Sequence, residues 1–332
     1  MALALALVWR ASSSASADTR APIVGKLVTF AVDGRDIDAW VPACAGEQGR
    51  KSPLILSLHA WATGKKLQQS VDRFREYVGS ECAIIMYPQA QKRGFLFGVV
   101  GFAWNAGGCC PNGNDGHVDD ISFLKNAITE AGQRFPIDAE AVFVVGISNG
   151  GMLANRLACS DTRIKALVAL SGALVNGTVG DSSTETFSCS RSLPVLHFHG
   201  LSDVIVPFAG CNKTFGGIDC RSMQRWPGVA PFPSIPEYVL GWRARNGILT
   251  AQGRQTFQNG SATCSSWGEP ASNVTLCTMK SEGHAWPGVC TTVQKLLPFM
   301  LNCTFDIDAS YHAMEFIRRY IPRHSSSSEI VV

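Results

Sequence analysis

In VFVVGISNGGM, residues 142–152, an apolar run meets Gly146, and Ser148 stands alone between Gly146 and Gly150. A serine hydroxyl is a poor nucleophile until a neighbouring base takes its proton and a third group orients that base. The pattern G-x-S-x-G suits such chemistry, because a sharp strand-to-helix turn lifts the hydroxyl above the edge of a sheet. The competing reading is a tight turn that merely contains a serine. Context favours the nucleophile. Ala141–Val145 is the continuous, β-branched run of a strand buried on both faces, and Met152, Leu153, Arg156 and Leu157 recur at helical spacing. Gly146 and Gly150 are expected where a bulkier side chain would clash across the turn.

A nucleophile so placed calls for an acid and then a base further along the chain, each in a loop after a strand. PVLHFHGLSDVIVP ends a strand-like run and offers Asp203, and VTLCTMKSEGHAWPG does the same for His284. Other candidates fit less well. His197 and His199 share one face of a strand, as a metal pair would, but no third ligand accompanies them. His117 falls in a polar loop, His312 in a terminal helix and His324 in the tail. Asp119 and Asp120 open a helix, where carboxylates serve as caps. The tetrahedral intermediate of acyl transfer needs two backbone N–H donors. They are expected from Asn149 and from Ala60 or Trp61 in LILSLHAWATG, with His59 bracing that loop. This set needs no metal or other cofactor.

Positioning these residues requires a sheet. Strand-like runs occur at Leu27–Val32, Ile37–Val41, Leu54–Leu58, Ala83–Tyr87, Ala141–Val145, Ala166–Leu170, Pro194–His199 and Val274–Met279. Helical patterns fall at 65–78, 118–134, 149–159, 235–246 and 309–321; in the second, Val118, Ile121, Leu124, Ile128 and Ala131 form one apolar stripe. Two strands followed by alternating strands and helices predict an α/β protein with an open, mostly parallel sheet covered on both faces. Residues 18–322 are expected to form one catalytic domain, and 323–332, with the Ser325–Ser328 run, a disordered tail.

With 46% hydrophobic and 17% charged residues, the 332-residue chain can bury a substantial core. A net charge of +3, with no basic run interleaved with aromatics, argues against a nucleic-acid partner. Beyond the first residues no apolar stretch is long enough to span a bilayer. Residues 1–17 read as a signal peptide, with an apolar block and an A-x-A site at Ala15-Ser16-Ala17, although the basic n-region is missing and Arg10 follows the block. Twelve cysteines, and sequons at Asn176, Asn212, Asn259, Asn273 and Asn302, point to a secreted, disulfide-bonded glycoprotein. Cys211–Cys220, Cys264–Cys277 and Cys290–Cys303 are the expected local pairs, whereas adjacent Cys109 and Cys110 are expected to find distant partners.

In chain order, LILSLHAWATG, AIIMYPQA, WNAGGCC, VDDISFLKNAI, VFVVGISNGG, HFHGLSDVIVPF and EGHAWPG resemble the polyhydroxybutyrate depolymerase/feruloyl esterase family of secreted α/β-hydrolases, over about residues 25–320. The resemblance implies an α/β-hydrolase fold and esterase activity, with Ser148, Asp203 and His284 at the triad positions. Where the family usually has His-Gly, this chain has His59-Ala60, and a Cβ there would narrow or tilt the oxyanion hole. Rival readings are a serine peptidase and a non-catalytic binding protein on a hydrolase scaffold. The segment between Asp203 and residue 235 is long for a simple connection. It carries Phe208, Phe215, Trp226 and Phe232; Trp286 lies two residues beyond His284, and Trp104 lies in WNAGGCC. Together these aromatics, with Trp104, Trp226 and Trp286 foremost, are expected to form a substrate-binding wall for an aromatic acyl group or a sugar ring; singly, each is better explained by packing. The expected substrate is a feruloyl or acetyl ester on plant-type polysaccharide, ahead of a polyhydroxyalkanoate, and the expected state is a monomer.

Overall fold

A computed structural model describes residues 23–96, 99–107, 109–110, 118–175, 187–210, 232–291 and 302–323. Twelve strands run in chain order: β1 Gly25–Val32, β2 Arg35–Pro42, β3 Ser52–Leu58, β4 Ile84–Pro88, β5 Gln91–Leu96, β6 Val99–Ala103, β7 Ile137–Ile147, β8 Ile164–Leu170, β9 Val195–Gly200, β10 Arg254–Asn259, β11 Ala262–Trp267 and β12 Val274–Met279. The helices are α1 Lys65–Val71, α2 Asp120–Arg134, α3 Asn149–Ser160, α4 Ile235–Arg245 and α5 Ala309–Arg318.

Ten strands make one sheet in the order β1-β2-β4-β3-β7-β8-β9-β12-β11-β10. From β4 to β12 neighbouring strands are parallel, and an antiparallel pair closes each edge. This is the α/β-hydrolase arrangement expected from the sequence. Buried strands send alternate side chains to opposite faces. Leu54, Leu56, Leu58, Val142, Val144, Leu167 and Ala169 join the core beneath α2, α3 and α4. Ile55, Phe143, Val145, Ala166 and Val168 join a second core beneath α5 and the short 3-10 turn at Phe74–Glu76.

Several boundaries differ from the sequence reading. The helix expected over 65–78 stops at α1, because Asp72 turns its carboxylate into the interior and Arg73 adopts a left-handed conformation. The β10–β11 hairpin and the β5–β6 pair were not expected, since their residues form no long apolar run. Cys264–Cys277 and Cys290–Cys303 pair as expected, and Cys44–Cys82 and Cys159–Cys189 add long-range bridges. Cys109 and Cys110 correct an expectation: they bond to each other across a cis peptide, with their Cα atoms 3.2 Å apart. The Cys211–Cys220 pair, the leader at 1–17 and the tail from 324 onward lie outside the described residues.

Candidate active site

Every proposed chemical group sits beyond the C-terminal end of a strand. Ser148 follows β7, the Ala60-Trp61 loop follows β3, Asp203 follows β9 and His284 follows β12. Strands β3 and β7 are neighbours from which the chain winds in opposite directions, the crevice where open α/β sheets bind ligands.

Ser148 has φ 56° and ψ −124°, a conformation that few non-glycine residues adopt. Its N–H donates to the Leu170 carbonyl at 2.8 Å, and its own carbonyl accepts from Met152 in the first turn of α3. A Cβ on Gly146 would collide with the Gly150 carbonyl, and one on Gly150 with the carbonyls of Leu58 and His59. The glycines therefore let α3 start flush against both its own strand and the loop after β3. The Asn149 N–H, in the first turn of α3, has no partner within the helix. The Asn149 side chain clamps Trp104 through two bonds, accepting from the Trp104 N–H at 2.8 Å and donating to its carbonyl at 3.1 Å.

In the loop after β3, the Ala60 carbonyl accepts from His59 Nδ1 at 2.8 Å, Thr63 Oγ1 at 2.8 Å and the Thr63 N–H at 3.3 Å. In a trans peptide C=O and N–H point opposite ways, so anchoring this carbonyl aims the Trp61 N–H to the other side. Among the described residues that N–H has no hydrogen-bond partner. His59 is fully buried, and burial pushes its pKa down to about 4. Its Nε2 accepts from the Ala90 N–H at 3.2 Å, which leaves the proton on Nδ1. His59 thus braces the loop as a neutral ring.

His284 Nδ1 lies 2.8 Å from Asp203 Oδ2, and the other Asp203 oxygen accepts the N–H groups of Ile205 and Val206, each at 2.9 Å. Burial raises the Asp203 pKa, but the nearby His284 and these hydrogen bonds hold it below the ordinary value. Asp203 is therefore an anion fixed at both oxygens. Among the described residues the Ser148 hydroxyl has no hydrogen-bond partner. In resting sites of this type the serine–base bond is often long and tightens only with substrate bound. His197 and His199 bond to each other at 3.0 Å instead of presenting a ligand pair, and His199 Nε2 donates to the Val206 carbonyl at 2.8 Å. Burial lowers both pKa values, so both rings are neutral supports for the Asp203 turn.

Trp104 and Trp286 are only 0% and 2% exposed. Neither offers a ring face to a ligand, which corrects the expectation that they form a substrate wall. Trp104 donates from Nε1 to the His59 carbonyl at 3.0 Å and so supports the loop after β3. Trp286 donates to Ser310 Oγ at 2.9 Å and packs edge-on against Phe74, tying the His284 loop to α5. Phe232 is buried and Phe208 packs edge-on against His199. Trp226 and Phe215 lie outside the described residues.

Sequence reasoning also missed some supporting groups. Asp119 caps α2 through the Ser122 N–H, but Asp120 turns inward, pairs with Arg35 and accepts the Asn105 N–H at 2.6 Å. It thereby anchors the segment that carries Trp104. Glu282, two residues before His284, is fully buried, and neither carboxyl oxygen has a hydrogen-bond partner. Among the described residues no group of three or more His, Cys, Asp or Glu side chains could hold a metal ion, and no helix is long and apolar enough to cross a membrane.

Residues 111–215 match the Phospholipase/Carboxylesterase family. The chain is 24% identical to feruloyl esterase B of Piromyces equi over 71% of this chain and 40% of that protein. It is 22% identical to the bifunctional acetylxylan esterase/xylanase XynS20E of Neocallimastix patriciarum, over 82% of this chain and 34% of that protein. It thus spans well under half the length of these two relatives. The fold is similar to that of an acetyl xylan esterase from Aspergillus awamori, with TM-score 0.52 and 14% identity over 83% of this chain and 98% of the other. The chain is similar in sequence to carboxylic ester hydrolases and has their fold.

Proposed function

We propose that the chain is a secreted serine esterase that hydrolyses feruloyl or acetyl esters on plant-type polysaccharide. The observation that carries this reading is the partly buried Asp203–His284 hydrogen bond at 2.8 Å, at the same end of the sheet as the strained Ser148 turn. Ser148 Oγ attacks the ester carbonyl carbon while His284 Nε2 takes its proton; Nδ1–H stays bonded to Asp203, which stabilises the imidazolium that forms. The N–H groups of Asn149 and Trp61 hold the oxyanion; the anchored Ala60 carbonyl favours Trp61 over Ala60 as the second donor. The intermediate collapses, the C–O bond to the alcohol breaks, and His284 gives its proton to the departing alkoxide. Water, deprotonated by His284, then attacks the acyl-enzyme and releases the acid and Ser148.

Residues 18–322 act in this scheme as one catalytic domain that works as a monomer and needs no cofactor. The polysaccharide-ester reading is supported by the sequence similarity to a feruloyl esterase and an acetylxylan esterase/xylanase. Turnover on methyl ferulate, acetylated xylan, a hydroxybutyrate oligomer and a peptide p-nitroanilide tests it. The reading expects one of the first two to lead by at least tenfold in kcat/KM. A lead for the oligomer would favour a polyhydroxyalkanoate depolymerase, and a lead for the anilide a peptidase.

A further inference from the structure

Three of the five N-x-S/T sequons fall on described residues, and their surroundings differ sharply. Asn273, just before β12, is 7% exposed. Its Nδ2 donates to Ser266 Oγ of β11, its Oδ1 accepts from Thr275 Oγ1 at 2.7 Å, and its backbone carbonyl accepts from Val195 at 2.8 Å. Both the amide and the hydroxyl of this sequon are thus consumed inside the sheet. A glycan there would break these bonds and force the strands apart.

Asn259 and Asn302 are exposed, and one hydrogen-bonded patch holds them both. Asn259 ends β10 and donates to the Asp306 carbonyl at 2.9 Å, while the N–H of Ser261 in the same turn donates to the Asp306 carboxylate at 2.7 Å. Asn302 donates to the Ser281 carbonyl, and its own carbonyl accepts from Gly283, the residue before His284, at 2.7 Å. Ala262 pairs with Met279, so the β10–β11 turn lies at the C-terminal end of β12, on the side of the sheet where the candidate site sits. β10 is also an edge strand whose residues are almost all exposed, the kind of edge that proteins protect from pairing with another chain.

We infer that Asn259 and Asn302 are N-glycosylation sites that cover the β10 edge beside the His284 loop, and that Asn273 is a closed sequon. The inference rests on the export reading above, because the reaction needs a lipid diphosphate-linked oligosaccharide donor found in the secretory route. In the transfer, asparagine Nδ2 bonds to the anomeric carbon of the sugar. The bond from that carbon to the diphosphate oxygen breaks, the lipid diphosphate leaves with the electron pair, and the amide gives one proton to a base. Each modified amide keeps one N–H, so the bonds to the Asp306 and Ser281 carbonyls can persist.

Site-resolved mass spectrometry tests this after enzymatic deglycosylation in heavy-oxygen water, which marks each formerly glycosylated asparagine as a labelled aspartate. The chain is expressed in a eukaryotic host in two forms, with its own first residues and behind a host secretion signal. The expected result is label at Asn259 and Asn302 and none at Asn273 in the folded, secreted protein. Label at Asn273, or its absence from Asn259 and Asn302 in the signal-directed protein, overturns the assignment. If the chain with its own leader stays in the cell unlabelled while the signal-directed form is labelled as expected, the export reading fails and the assignment of sites stands. As a second readout, N259Q and N302Q should each lower the apparent mass of the secreted protein by one glycan, and N273Q should not change it.

Discussion

Removing the Ser148 hydroxyl or the His284 imidazole takes away parts that act as one unit, so their losses should not add. Ser148→Ala and His284→Ala are each expected to lower kcat on p-nitrophenyl acetate by roughly 10⁴–10⁶, with the double variant little worse than either. Near-normal turnover in His284→Ala, with loss in His199→Ala, would move the base to the other histidine. Glu282 supplies a pH-dependent prediction. Burial pushes its carboxyl up to about 8 from an ordinary 4.5, with the backbone of Thr304 nearby opposing the shift and Asp203 and Asp306 adding to it. Between these values the folded protein holds a proton that the unfolded chain has released, so stability falls as pH rises from about 4.5 to 8. Glu282→Gln removes that penalty. Its melting temperature should exceed the parent's by at least about 4 °C at pH 8 and match it near pH 4. An equal gap at both pH values would mean that the carboxyl is not neutral in the fold.

Among the elements, the loop after β3 makes the sharpest demand. Its Ala60 carbonyl takes three donors, two from Thr63, and this fixes the direction of the Trp61 N–H. Thr63→Val removes one of those bonds and lets the peptide rotate. It should lower kcat about tenfold with little change in KM, because the donor acts chiefly in the transition state. A change confined to KM would assign Thr63 to substrate binding. The sequence could narrow the second donor to Ala60 or Trp61 but not choose, since the choice depends on bonds made after folding. The β7 turn was legible because its glycines and apolar run are local signals. Asp120 was misread as a cap because its inward rotamer depends on Arg35, which lies 85 residues away in the chain. Trp104 and Trp286 are buried instead of facing a ligand, because which way a ring faces is set by the elements packed against it.

For the whole molecule, alternating strands and helices were enough to give the parallel sheet, because strands buried on both faces need continuous apolar runs and Gly-rich turns. The β10–β11 hairpin escaped notice since an exposed edge carries polar residues such as Arg254, Gln255 and Gln258. Disulfide pairing was legible where the partners lie close in the chain, as at Cys264–Cys277 and Cys290–Cys303, each with a sequence separation of 13. Cys159–Cys189 closes a loop with a sequence separation of 30 at the end of α3. Replacing both cysteines by alanine should cost about 3–4 kcal/mol of unfolding free energy in a denaturant titration, if loop-closure entropy dominates. Activity at 25 °C should survive, because the bridge lies at the end of α3 remote from Ser148. A variant as stable as the parent would show that neighbouring packing already holds that end of the helix.

All of the chemistry proposed here depends on Ser148 being a nucleophile driven by His284, which an active-serine phosphonate ester can report. Attack by Ser148 Oγ on phosphorus displaces the p-nitrophenolate leaving group and leaves a stable adduct. Peptide mass spectrometry should find one adduct, on the peptide containing Ser148. That adduct should be absent in Ser148→Ala and should form at least about 10³-fold more slowly in His284→Ala. Ester turnover by a chain that takes no label at Ser148, or labelling at Ser148 at the parent rate without His284, would contradict the mechanism.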